Sequence, residues 1–205
     1  MTRPVAFFDF DGTLTRGDSL LAFLTYLKGR RALATALLRA APTLAAYGLR
    51  MRGNHVAKET LLRYAIGGDE QAWLMARGAD FAREVAPNLL HEQGLEQVRR
   101  RREQGFRCVL VSASLDLYLR PWTEAMGFEG CLCSSLAVDA QGRVSGRLAG
   151  KNCYGEEKVR RIREWGQAHP FATSVAYGDT KGDFPMLRDC DEGWLLRSGE
   201  FQAFP

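Results

Sequence analysis

With 205 residues, 46% of them hydrophobic, the chain can bury one sizeable core with a smaller insert, which argues against two independent domains. The net charge of +4 is mild, and the Arg99 to Arg102 run has no interleaved aromatics, so a nucleic-acid partner is not expected. Five cysteines, of which only Cys131 and Cys133 are close together, match neither a disulfide framework nor a zinc pattern; a reducing cytoplasm is the expected compartment. No charged segment with an apolar core and cleavage site precedes the first strand, so secretion is not expected.

The first element is an apolar run that reads as a strand and ends in Phe-Phe-Asp9-Phe-Asp11-Gly-Thr-Leu. Acids two apart at a strand end need not share a face once the chain leaves the pleat. Both can enter a crevice and disturb each other's protonation. One can then serve as a nucleophile that forms an acyl phosphate, and the other as proton donor. Gly12 lets the backbone turn sharply, leaving amides free for phosphate oxygens. Ordinary Asp-Gly turn chemistry is the competing reading.

From Asp18 to about Pro87 the pattern is helical. Asp18 or Ser19 can cap a Leu20–Leu24 helix that Gly29 ends; Gly67-Gly68 ends another through Leu61, Leu62 and Tyr64; a further helix carries Trp73, Phe81 and Val85. Ala32 to Leu49 is largely apolar, bracketed by Lys28, Arg30 and Arg31 on one side and Arg50 and Arg52 on the other. Arg39, Pro42 and the alanine content argue against a membrane span. Two readings stay open: two helices joined near Pro42 and packed on the rest of the insert, or an interfacial helix whose basic flanks meet anionic headgroups.

A helix from Leu89 to Gln104 then leads into the strand Gly105–Ser112. Ser112 can donate to a phosphate oxygen or simply cap the strand locally. Leu136 to Val144 alternates around a turn and reads as a hairpin. Lys158, in a helical stretch, is ambiguous by itself, because most lysines on a helix are solvated, and its order in the chain decides it. The last block, Gly178-Asp179-Thr-Lys-Gly-Asp183, offers hard oxygen ligands of the kind Mg²⁺ takes, although Asp179 also suits a turn and Asp183 a helix cap. If the three strands lie side by side in a parallel sheet, four acids and a hydroxyl meet at its carboxyl ends, where open α/β folds bind ligands.

An aspartate pair, a serine after a strand, a lysine, and Gly-Asp with a second Asp four residues on resemble, in that order, the haloacid dehalogenase-like phosphohydrolase superfamily. The likeness covers nearly the whole chain. It implies a Rossmann-like, doubly wound parallel sheet formed by residues 1–14 and 89–205, with an all-helical cap of the phosphoserine phosphatase-like branch inserted at 15–88. It also implies residue roles. Asp9 would be the nucleophile and Asp11 the general acid and later base. Ser112, with Ala113 and Gly12, would bind the phosphoryl group, and Lys158 would neutralise charge near Asp9. Asp9, Asp179 and the Asp11 carbonyl would ligate Mg²⁺, with Asp183 holding a metal-bound water and Lys158. An acid at position 11 argues for phosphate hydrolysis over dehalogenation, because displaced halide needs no proton.

The expected reaction is hydrolysis of a small phosphomonoester through an aspartyl phosphate. Asp18 lies where phosphoserine phosphatases carry an acid that binds the substrate amine, but capping explains it as well. Ala113-Ser114 replaces that family's glycine pair, which argues against phosphoserine itself. The early segment also resembles bacterial phosphatidylglycerophosphate phosphatases, so a lipid phosphate, hydrolysed at the inner membrane face, is the alternative substrate. A non-catalytic binding protein on the same fold is the alternative of another class.

Overall fold

The computed structural model describes residues 2–205. β1 (Val5–Phe8) is the central strand, flanked in parallel by β2 (Arg107–Leu115) on one side and β6 (Ser174–Gly178) on the other. β3 (Gly130–Ser134) lies outside β2, and β7 (Glu192–Arg197) and β8 (Glu200–Ala203) lie outside β6. The order is β3-β2-β1-β6-β7-β8, parallel except for β8. A separate antiparallel ribbon pairs β4 (Leu136–Val138) with β5 (Val144–Leu148), the hairpin expected from the alternation there.

Every residue of β1 is buried, as a parallel strand covered on both faces requires. Ala6 and Phe8 pack in the layer of α4 (Glu92–Glu103) and α5 (Asp116–Ala125), and Val5 and Phe7 in that of α6 (Glu156–Ala168) and α7 (Phe184–Asp189). Phe8 stacks on Tyr177 at 4.7 Å, while Phe7 meets Trp165 edge-on at 5.9 Å. The chain leaves β1 towards β2 and β3, then returns beside β1 as β6. This reversal opens a crevice at the carboxyl ends of β1 and β6, the usual ligand position in such sheets.

Between β1 and α4 the chain inserts three further helices: α1 (Ser19–Gly48), α2 (Asn54–Ile66) and α3 (Gln71–Glu84). α1 packs on α2, α3 on α5, and α2 on β5. The last contact is close enough to need glycine. Gly146 has a φ of 80°, and a Cβ there would lie 2.3 Å from the Arg63 Cα.

Local signals misplace some boundaries. Gly29 ends the first helical stretch of α1 as expected, with φ 78° and ψ 162°, but a second stretch resumes at once, so α1 is two helices joined at a kink. The joint therefore sits at Gly29, and Pro42, the expected joint, lies inside the second half. The helix read from Leu89 to Gln104 starts later, as α4 at Glu92, with a 3₁₀ turn (Ala86–Leu89) ahead of it. β2 runs on past Ser112 to Leu115, with a shift in its register against β3 between those residues. Such irregularities re-aim side chains at strand ends, and here the beneficiary is Ser114.

Candidate active site

Past β1 the chain folds back sharply: the Thr13, Leu14 and Thr15 amides all donate to the Phe10 carbonyl, at 3.3, 2.9 and 3.0 Å. Gly12, at φ 82°, faces β6, and a Cβ there would lie 2.1 Å from Asp179 Oδ2. Glycine is needed both for the turn and for the approach. Its amide donates to Thr15 Oγ1 at 3.3 Å. The Thr13 hydroxyl lies 3.2 Å from Asp9 Oδ2 and 3.4 Å from Asp179 Oδ1, between the two acids.

Lys158 projects from the first turn of α6 and is fully buried, which resolves the local ambiguity of this lysine. Its ammonium donates to Asp9 Oδ1 at 2.5 Å, Asp183 Oδ1 at 2.6 Å and the Val111 carbonyl at 2.8 Å, which uses all three protons. Burial works against this charge, but Asp183 and Asp9 outweigh it and hold Lys158 above the ordinary lysine range. Asp183 also accepts from the Thr180 amide and hydroxyl, both at 3.0 Å, and from the Asp179 amide at 3.2 Å. Burial would raise Asp183, yet Lys158 and these donors hold it below the usual carboxylate range. Asp9 is pushed well above that range by burial and then by Asp183, despite Lys158. The disturbance expected between Asp9 and Asp11 is a smaller contribution to that shift.

Asp11 turns the other way. Its Oδ1 accepts from the Ser19 amide at 2.6 Å, and its Oδ2 from the Ser114 hydroxyl at 2.5 Å. Burial and the Asp18 charge raise it. Asp18 caps α1 through the Leu21 amide at 2.9 Å, as the capping reading expects, and also borders the cleft. Ser112 is buried and accepts from the Ser114 amide at 3.0 Å, which leaves its own proton to donate. Asp179 is driven up to about 6 by burial and by Asp183. One cleft of about 300 Å³ thus reaches Asp9, Asp11, Asp18, Ala113, Lys158 and Asp183.

Sequence reasoning missed Lys58, on α2. Its ammonium donates to the Ala113 carbonyl and lies 3.4 Å from Asn152 Oδ1, and burial pulls it down to about 8 although Asp11 and Asp18 oppose the shift. Nothing in its local sequence separates it from a solvated helical lysine. Ser114 carried a signal, as the residue that departs from a glycine pair.

Residues 6–188 match the family model of haloacid dehalogenase-like hydrolases. Protein CicA of Caulobacter vibrioides is 38% identical over 196 residues, spanning 94% of this chain and 86% of its own. Among solved structures, a protein with unknown function from Bordetella pertussis Tohama I superposes with a TM-score of 0.78 at 28% identity, over 93% of this chain and 88% of that one. A phospho-aspartyl intermediate analogue of phosphoserine phosphatase superposes with a TM-score of 0.66 at 14% identity, over 95% and 86% of the two chains, a likeness of fold.

Proposed function

The chain belongs to the haloacid dehalogenase-like hydrolase family, and from that footing we propose that it is a phosphatase that hydrolyses a phosphomonoester through an aspartyl phosphate on Asp9. The observation that carries the reading is the buried Asp9–Lys158–Asp183 chain beside Asp11 at the sheet's carboxyl ends. Phosphoryl transfer is mainly positioning plus stabilisation of spread negative charge, and these groups supply both. Asp9 attacks phosphorus as the ester oxygen departs with a proton from Asp11. Asp11 then takes a proton from the water that attacks the acyl phosphate, which returns the Asp9 carboxylate and releases phosphate. Lys158 fixes the nucleophile and offsets charge near it. Ser112 and the Ala113 segment take the phosphoryl oxygens; the Gly12 turn, expected to leave amides free for them, instead spends the Gly12, Thr13, Leu14 and Thr15 amides on its own Thr15 hydroxyl and Phe10 carbonyl. α1 to α3, within residues 15–88, act as the cap that chooses the substrate, with Lys58 and Asp18 as its charged contributions to the cleft.

The residues fit a divalent cation. Asp9, Asp179 and Asp183 offer oxygens within 4.8 Å of one another, and the cleft holds four acids against Lys158 and a weakened Lys58. The raised Asp179 is an acid in want of positive charge. Asp9, Asp179 and the Asp11 carbonyl would hold Mg²⁺; Asp183, with both oxygens already engaged, would support them from behind. The ion would neutralise charge on the phosphoryl group.

A small metabolite fits the size of the cleft. A lipid phosphate is favoured by a different observation: the same cleft is also lined by the apolar side chains of Leu20, Leu44, Ala57 and Leu61 and by Tyr47. Retention of all six core residues in one cluster disfavours a non-catalytic binding role. A panel of phosphorylated metabolites and lipid phosphates, assayed for phosphate release with and without Mg²⁺, tests the reading; no release from any member contradicts it.

A further inference from the structure

Between Asp18 and Glu59 the chain carries seven basic residues and no acidic one. The other 165 residues hold 21 basic and 24 acidic side chains, a net −3, so the whole positive excess of the molecule sits on α1, the turn after it and the start of α2. The same segment presents apolar surface to solvent. Ala34, Leu38, Ala41, Ala45 and Leu49 recur at three- and four-residue spacing, which places them on one side of α1, and all are exposed. Leu38, Leu49 and Met51, at 76, 72 and 75%, are the most exposed large hydrophobic side chains among the described residues. Arg31, Arg39, Arg50 and Arg52 are exposed around them.

We propose that this outer face of α1 and the turn that follows is a docking surface for an anionic lipid bilayer. An apolar stripe rimmed by arginine is the composition of helices that lie in the headgroup region, where apolar side chains enter the acyl boundary and basic ones meet lipid phosphates. A second copy of the chain would set the same basic face against itself. Nucleic acid would match the charge but offers no apolar phase for Leu38, Leu49 and Met51. No helix among the described residues is long and apolar enough to cross a membrane, so the contact is with the surface. Leu44 and Tyr47 of the same helix line the active cleft, and docking therefore brings the cleft mouth to headgroup level. On the phosphatase reading, this makes the substrate a phosphomonoester with an apolar body. The docking itself does not depend on that reading.

Sedimentation with phosphatidylglycerol-containing vesicles and with pure phosphatidylcholine vesicles, read as bound protein, tests the proposal without using catalysis. The wild type is expected to pellet with the anionic vesicles only and to be released by salt. Arg39→Gln with Arg52→Gln should weaken the partition at least tenfold, since each basic residue near such a surface contributes about fivefold. Leu38→Ser with Met51→Ser should weaken it at constant charge. Circular dichroism verifies that both variants fold, and if the second does not, the arginine pair carries the test alone. Pelleting with neither vesicle, equal pelleting with both, an unchanged arginine variant, or capture of duplex DNA without vesicle binding would each overturn the proposal. Failure to hydrolyse any phosphomonoester alongside normal vesicle binding would count against the reaction only.

Discussion

Ser114 Oγ donates to Asp11 Oδ2 across 2.5 Å, joining the end of β2 to the turn after β1. The opposite oxygen of Asp11 is held by the Ser19 amide at 2.6 Å, so this acid is aimed before substrate arrives. A hydrogen bond to a charged group contributes about 1.5–3 kcal/mol. Ser114→Gly is therefore expected to lower kcat by roughly 10- to 100-fold, with a smaller effect on KM, in steady-state kinetics on any accepted phosphoester. An unchanged kcat would show that Asp11 needs no such support.

Lys158 answers two buried acids at once, and its removal leaves both without a counter-charge. Lys158→Met should cost about 3–5 kcal/mol of stability, measured by urea unfolding at pH 7, and should lower turnover by at least about 10². A variant as stable as the wild type would mean that Asp9 and Asp183 are not charged together in the folded protein.

Lys58 gives a pH signature. Its folded value of about 8 lies below the ordinary 10.5, so below pH 8 both states are protonated and the cost of burying the charge is fully present. Between those values the folded state loses its proton first, and stability should rise with pH. Lys58→Met is expected to stabilise the protein at pH 7 by on the order of 1–3 kcal/mol and to flatten that rise. Unfolding curves at pH 7 and at about pH 9.5 check it; a destabilised variant at pH 7 would contradict the assignment.

Gly12→Ala combines a strained φ with a collision against Asp179. Displacing that carboxylate should raise the Mg²⁺ concentration needed for half-maximal activity by at least about tenfold, because a hard cation loses a charged ligand. A Mg²⁺ titration of the variant reads this directly, and an unaltered midpoint would remove Asp179 from the metal site.

The strand-end acids were legible because a parallel sheet forces its carboxyl ends together: Asp9, Ser112 and Asp179 each follow an apolar run, and their meeting follows from topology alone. Lys158 became legible only from its order among those motifs, since burial of a helical lysine leaves no local trace. Lys58 had neither kind of signal; its place in the cleft depends on how α2 docks against β5. The course of α1 was misread for a specific reason. Gly29 and Pro42 are both helix breakers locally; Gly29 does end the first helical stretch, but Pro42 sits on an exposed turn inside the second, so the joint falls at Gly29 and not near Pro42. The extension of β2 to Leu115 was hidden for a similar reason, because Ala-Ser after Ser112 carries no strand pattern and its re-aiming is a tertiary effect.

The central claim is a covalent phosphoryl group on Asp9. Acid quench during turnover, followed by borohydride reduction and peptide mass spectrometry, would convert an aspartyl phosphate into homoserine at the position that carried it. We expect homoserine at position 9 in the wild type and none in a folded, inactive Asp9→Asn variant. Steady phosphate release with no reduced residue, or with the label at any other side chain, would contradict the account.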